Sequence, residues 1–228
     1  MKKILLLSAA MFSMALTGSA QMGFGVEAGF NVSNYNVLYH GAMKETTFRN
    51  GGRFGVMSDM ALTDNLYFQP GIYYVTTGYR NNIPGGYQQM TVKSVEIPLF
   101  LQYKIGMLGT DRLFLGAGPF IGWNKDGNNY LHTATIDSRS DIKIGSKVGD
   151  GLRPIDIGAG INVGYQLTAG LVARLRGQMG FMDLDPTGLS DMSIRSYSFC
   201  VSAGYMFYMR DKSGKMKINR DRSAKKNK

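Results

Sequence analysis

The chain has 228 residues and 30 glycines, about 13% and roughly twice ordinary usage, yet no Gly-X-Y period and only 6 prolines, which excludes collagen. Apolar content of 44% with 11% aromatics argues against disorder, and a single cysteine excludes an internal disulfide and a cysteine-based zinc site. The net charge of +10 is a property of the ends. Asp211 to Lys228 carries eight basic residues (Lys212, Lys215, Lys217, Arg220, Arg222, Lys225, Lys226 and Lys228) against Asp211 and Asp221, which is +6, and Lys2 with Lys3 adds +2. Residues 21–210 therefore keep +2, so nucleic acid is not an expected partner.

Residues 1–20, MKKILLLSAAMFSMALTGSA, combine two lysines, an apolar segment from Ile4 to Leu16 and the small residues Gly18-Ser19-Ala20. This pattern predicts a signal peptide cleaved between Ala20 and Gln21. No cysteine follows for lipidation, and no run of about 18 apolar residues follows to make a membrane helix. An exported chain of this kind can still cross a membrane with strands that close on themselves.

Met22 to Ser33 alternates strictly: Met22, Phe24, Val26, Ala28, Phe30 and Val32 against Gly23, Gly25, Glu27, Gly29, Asn31 and Ser33. Ile155–Gln166 and Ser196–Phe207 repeat the pattern as cleanly, while Phe54–Leu62, Leu66–Thr77, Val95–Ile105, Leu113–Trp123 and Leu171–Met182 follow it less strictly. In Leu66–Thr77, Tyr67, Tyr73 and Val75 fall on the face expected to be polar. Eight such segments, each long enough for the roughly 9–11 residues of a tilted membrane strand, predict an all-β fold. The expected architecture is an eight-stranded antiparallel up-and-down transmembrane β-barrel over 21–209, after a signal peptide (1–20) and before a basic, disordered periplasmic tail (210–228). Bulges are expected at Pro70, Pro98 and Pro119, because each removes a ladder donor.

The expected connections alternate between long loops (Asn34–Arg53, Gly78–Ser94, Asn124–Pro154, Asp183–Ile194) and short turns (Thr63-Asp64-Asn65, Gly106–Arg112, Leu167–Gly170). Transmembrane barrels keep short turns on the periplasmic side, which would put both termini there. With that orientation the outward aromatics form two girdles. Phe24, Phe68, Tyr103, Tyr165, Tyr205 and Phe207 lie at one end; Phe30, Phe54, Tyr74, Trp123, Phe181 and Tyr197 lie at the other.

The minor face of the strands carries glycines and charges. Turned inward in a narrow barrel, Glu27, Asp59, Glu96 and Asp156 can balance Arg53, Lys104, Arg174 and Arg176, giving a salt-bridged lumen without an open pore. Bulky inward side chains are not expected to fit. The alternative is a soluble, lipocalin-like small-molecule-binding barrel, with the apolar face inside and the charges in water.

Several phrases in order resemble the PorT-like outer-membrane β-barrel family of Bacteroidetes: GFGVEAGFNVSNY (23–35), NLYFQPGIYYVTTGY (65–79), VEIPLFLQYKIG (95–106), LFLGAGPFIGWN (113–124), IDIGAGINVGYQL (155–167) and SFCVSAGYMF (198–207). The resemblance extends to the prolines of the QPG, EIP and GP phrases. It implies an eight-stranded outer-membrane barrel, a lipid bilayer as the main partner and, for some members, service to type IX secretion. The basic extension past Phe207 departs from the family's usual ending at the last aromatic strand.

Signals for chemistry are sparse. Gly116-Ala117-Gly118 and Gly158-Ala159-Gly160 lack the third glycine of a dinucleotide loop and lie within strands. His40 and His132 fall in expected outer loops, and His132 with Asp137 and Ser138 is the one candidate hydrolase constellation. Asp126, Asp137, Asp141 and Asp150 lack the spacing of an EF-hand. Cys200 is read as a small packing residue. The expectation is a non-enzymatic barrel without cofactor or metal, with a structural or interaction role. The alternatives are accessory work in secretion or envelope assembly, the basic tail meeting a periplasmic protein or peptidoglycan, and a small-solute channel.

Overall fold

The computed structural model describes residues 22–107, 110–188 and 192–208. The expected signal peptide and basic tail lie outside the described residues. Among them no helix is long and apolar enough to cross a membrane, and the fold is a single antiparallel sheet.

Eight strands form the wall: β1 (Met22–Tyr39), β3 (Thr47–Ala61), β4 (Leu66–Ile83), β5 (Gly86–Ile105), β6 (Arg112–Thr133), β8 (Ile155–Gln166), β9 (Leu171–Gly180) and β10 (Met192–Tyr208). Two short strands, β2 (Ala42–Lys44) and β7 (Asp137–Asp141), flank β1 and β6. Each wall strand pairs with its neighbour in chain order, and β10 returns to β1 in an unbroken register from Gly23↔Tyr208 to Tyr39↔Met192. That last pairing closes the barrel, so the sheet has no open edge along its wall and the backbone groups of a lipid-embedded strand are satisfied laterally.

Closure divides the side chains by parity. Val26, Phe30, Val56, Ile161, Leu175 and Val201 point outward and are about half exposed or more, while Glu27, Arg53, Asp59, Lys104, Arg174 and Arg176 point inward and are buried. A lipocalin-like interior would reverse this arrangement. Phe30, Phe54, Trp123 and Phe181 are exposed aromatics toward the loop end; Phe24, Tyr103, Tyr165, Tyr205 and Phe207 are those toward the turn end.

Three expectations are corrected. The segments Asn34–Arg53, Gly78–Ser94 and Asn124–Pro154 are not simple loops: β1, β4, β5 and β6 run on well past the girdle. β4 and β5 meet in a tight hairpin closed by Ile83↔Gly86. Beyond hydrocarbon the outer face no longer needs apolar residues, so pairing continues while alternation disappears.

The prolines carry no bulges. Register passes unchanged from Pro70↔Leu99 to Tyr73↔Glu96, from Pro98↔Phe120 to Leu101↔Ala117, and through Pro119↔Ala159. A missing donor deletes a bond, whereas a bulge needs an extra residue. The register shifts lie instead between Phe48 and Arg53 and between Lys93 and Ser94, both toward the loop end.

Large side chains do fit inside. Tyr67, Tyr73, Phe100 and Phe114 are buried in the lumen, and inward glycines seat them. A Cβ on Gly164 would stand 2.3 Å from Phe114 Cζ, one on Gly158 2.6 Å from Phe120 Cε1, and one on Gly55 2.7 Å from Tyr73 Cδ1.

Candidate functional site

The lumen is filled in tiers. At the turn end, β5 presents Lys104, whose ammonium contacts Asp59 of β3 and donates to Gln166 Oε1 at 2.8 Å. Asp59 also accepts from Gln69 Nε2 at 2.8 Å and from Tyr208 Oη at 2.9 Å. Gln102 continues the chain of bonds to Gln69 at 2.7 Å and Asn162 at 3.3 Å. Arg112 donates to Tyr67 Oη at 3.1 Å, and the Lys104 ammonium lies 4.3 Å from the Tyr67 ring centre. Asp59 and Lys104 are essentially inaccessible to solvent.

The middle tier centres on Glu27 of β1. Its carboxylate lies 3.0 Å from Arg174 Nη1 and 3.6 Å from Arg176 Nη2, both on β9, and accepts from Ser202 Oγ at 3.0 Å. Arg174 stacks over Phe114 at 5.2 Å, and Arg176 sits between Tyr73 and Phe100 at 5.1 and 5.0 Å. Ring faces thus take part of the positive charge where hydrogen-bond acceptors are short.

Above this, Arg53 Nη2 donates to Glu96 Oε1 at 2.7 Å and Nη1 to Gln178 Oε1 at 3.1 Å, while Gln178 Nε2 donates to the same Glu96 oxygen at 2.9 Å. The Arg53 guanidinium also lies 4.1 Å from the Tyr73 ring centre. Of the four acids expected to pair, Asp156 is the exception. It accepts from Ser196 Oγ, and no lumen base lies within salt-bridge distance of it among the described residues. The base not anticipated is Arg112. The sequence places it at the end of a turn, but it is the first residue of β6 and its side chain turns inward.

The loop end is closed by an apolar cap of Tyr35, Val37, Met90, Val92, Leu152, Leu184 and Ile194. Leu152 and Leu184 arrive from the connections after β7 and β9, held by Arg153 N–H donating to Leu184 O at 2.9 Å and Leu184 N–H to Ile194 O at 2.8 Å. Lys143 bridges Asp150 at 2.9 Å in the same connection. A cavity of about 30 Å3 remains between cap and charge tiers, lined by Ser94, Glu96, Phe120, Asp156 and Ser196 among others, room for about two waters. The sequence signal for the cap is a set of apolar residues scattered without periodicity through these connections, Leu152 with Ile142, Ile144 and Val148, and Leu184 with Phe181 and Met182.

The candidate hydrolase set does not assemble. His132, in β6 rather than a loop, pairs with Asp137, whose Oδ1 lies 3.1 Å from His132 Nδ1 and accepts from Tyr130 Oη at 2.5 Å. Ser138 is the next residue of β7, opposite Leu131, so it faces the other side of the sheet. His40 occupies the turn between β1 and β2. The loop carboxylates are engaged separately, Asp126 with Lys93 at 3.1 Å and Asp150 with Lys143. No group of three or more metal-ligating side chains occurs among the described residues. The Gly-Ala-Gly sequences lie mid-strand in β6 and β8. Cys200 is buried on the inward face of β10.

No curated protein sequence matches the chain. Solved structures similar to it include the outer membrane protein OprG from Pseudomonas aeruginosa, with 12% identity, 84% of this chain and 99% of that one covered, and a TM-score of 0.48. Neisserial surface protein A, NspA, is similar at 14% identity, covering 81% and 97% with a TM-score of 0.42. The attachment invasion locus protein Ail of Yersinia pestis is similar at 11% identity, covering 82% and 99% with a TM-score of 0.40. The family described as "Outer membrane protein beta-barrel domain" matches residues 17–185, well over half of the sequence. The closed antiparallel barrel agrees with that description, and the chain belongs to the outer membrane protein beta-barrel domain family.

Proposed function

We propose that this outer-membrane barrel is a non-enzymatic, non-conducting protein that holds its loop end in the external medium and both termini in the periplasm. Residues 1–20 serve as its cleaved signal peptide, 21–209 as the barrel and 210–228 as a basic periplasmic tail. The observation that carries the reading is the stacked lumen: Lys104–Asp59, Glu27 with Arg174 and Arg176, and Arg53–Glu96 occupy successive levels of the axis beneath an apolar cap. Charges fixed to one another and to ring faces do not leave a hydrated path. Planar-bilayer recordings of the reconstituted full chain test this. The expected result is conductance equal to protein-free membranes, and discrete channel openings would overturn it.

A second reading, accessory work in secretion or envelope assembly as in the PorT-like barrels, is favoured by the +6 charge that Asp211–Lys228 would place in the periplasm. Such a tail suits an anionic periplasmic protein surface or peptidoglycan. Deleting 211–228 should then abolish co-sedimentation with peptidoglycan or co-purification of a periplasmic protein while leaving heat-modifiable migration intact. Unchanged co-purification and co-sedimentation would remove this reading.

A further inference from the structure

Above the cap, the extended strands enclose a second feature. A cleft of about 540 Å3 is walled by β1, β2 and β10 on one side and by β4, β5 and β6 on the other. Its surface comes mainly from Val37, Met43, Met90, Ile142, Met192 and Ile194; Asn129 and Lys44 are its main polar residues besides two tyrosines. The volume falls within the roughly 300–1,000 Å3 of small-molecule sites, and such sites are apolar with a few placed polar groups.

Position makes the lining unusual. Val37 is seven residues beyond the girdle residue Phe30 on β1, which at 3.3 Å per residue and a tilt of 35–45° is roughly 15–20 Å past the hydrocarbon edge. Bilayer lipid does not cover an inward-facing cleft at that height, so its apolar surface stands in water. A vestibule serving ion passage would be polar. This one is lined by aliphatic and thioether side chains, the latter unbranched and able to adapt to a flexible chain.

At its rim is Lys44 of β2, exposed and without a salt bridge among the described residues. Its neighbour Glu45 lies outside the lining. The His40-Gly41 turn, with φ of 50° and 74°, folds β2 back along β1 so that Lys44 stands opposite Val37 and Ala42 opposite Tyr39. A cation is thereby fixed at the mouth of an apolar slot.

We propose that this cleft binds a single-chain anionic amphiphile from the external medium, a fatty-acid-like ligand whose alkyl chain lies against Met43, Met90 and Met192 and whose carboxylate meets Lys44. The cap residues Val37, Met90 and Ile194 line the site, which lies on the loop side of the charged tiers and does not require that the lumen conduct. The fatty acid's charge complements Lys44, and its chain removes the thioether and aliphatic surface from water.

The test uses the full chain in lipid nanodiscs, free of detergent that would itself enter the cleft, and the fluorescent probe 11-(dansylamino)undecanoic acid. The expected result is saturable, blue-shifted emission above that of empty nanodiscs, displaced by dodecanoate. Met43 is 64% exposed, so Met43→Asp should fold as judged by heat-modifiable migration. Placing a carboxylate against the alkyl chain should weaken binding at least about tenfold. Lys44→Glu should weaken the acid about fivefold and leave the probe's methyl ester unchanged, the size of an exposed charge contact. Wild-type emission equal to that of Met43→Asp or of empty nanodiscs at every probe concentration would overturn the site. Equal affinity of wild type and Lys44→Glu for the acid would overturn the anionic assignment.

Discussion

Glu27→Gln is the most informative perturbation of the lumen. The carboxylate, 1% exposed, is the only acid within salt-bridge distance of Arg174 and Arg176 among the described residues, at 3.0 and 3.6 Å, and both arginine side chains are also 1% exposed. Glutamine keeps the volume and can still accept from Ser202, so the change removes charge and little else. Two buried guanidiniums would then share only ring faces and neutral dipoles. Breaking a buried pair of this kind costs about 3–5 kcal/mol. The exposed pair Lys93–Asp126, with side chains 39% and 54% accessible, provides the comparison, and Lys93→Ala should cost at most about 1 kcal/mol.

Urea titration of vesicle-reconstituted protein reads both, because Trp123 is the sole tryptophan and sits in the loop-end girdle, 55% exposed on the outward face. Its emission should shift red on unfolding. Arg176→Met in the Glu27→Gln background should recover at least about 1 kcal/mol, since it removes the more weakly paired cation and leaves an aliphatic chain between Tyr73 and Phe100. Equal midpoints for Glu27→Gln and Lys93→Ala would refute the reading of this tier as a tightly desolvated network.

Two further outcomes follow from the geometry. Gly164→Ala should cost about 1–3 kcal/mol and lower the yield of heat-modifiable barrel, because its Cβ would meet Phe114 Cζ at 2.3 Å and the Ala173 carbonyl oxygen at 2.4 Å. Gly122→Ala, whose Cβ would meet Asp156 Cβ at 3.6 Å, should fold like wild type, and equal behaviour of the two variants would contradict the packing described. In the connection after β7, the Lys143 ammonium and the Lys147 amide hold Asp150 below the ordinary carboxylate range. Its contribution is present above the unfolded value near 4 and is lost as pH falls through the lower folded value. Protection of the Gly145 and Gly151 amides against hydrogen exchange, bonded to Leu152 and Lys143 oxygens, should therefore drop below about pH 4. Asp150→Asn should remove that dependence. An unaltered pH profile in the variant would count against the pairing.

The wall was legible where lipid enforces alternation. β1, β8 and β10 show it residue by residue, since a one-position slip would put Glu27, Asp156 or Ser202 into hydrocarbon. Leu66–Thr77 was harder to read because Tyr67, Tyr73 and Val75 all face inward, the two tyrosines as ring partners of buried cations and Val75 in an apolar cluster with Tyr73 and Phe114. The identities of Arg53, Lys104, Arg174 and Arg176 as inward residues followed from parity, but their pairing across the axis did not. Asp156, one of four acids expected together to balance the lumen bases, takes a serine instead, and Arg112 stands where the sequence reads as a turn. Beyond the girdle, where neither lipid nor alternation acts, the long strand extensions and the leucines of the cap had no periodic signal.

The most direct test is a nitroxide on Val201→Cys in a Cys200→Ser background, within the full chain in lipid vesicles. Val201 is 60% exposed on the outer face of β10, while the neighbouring residue 200 is buried in the lumen. Outward apolar packing predicts frequent collisions with oxygen, which concentrates in hydrocarbon, and few with a water-soluble nickel chelate. The opposite ratio would place this flank in water and contradict the membrane-spanning barrel.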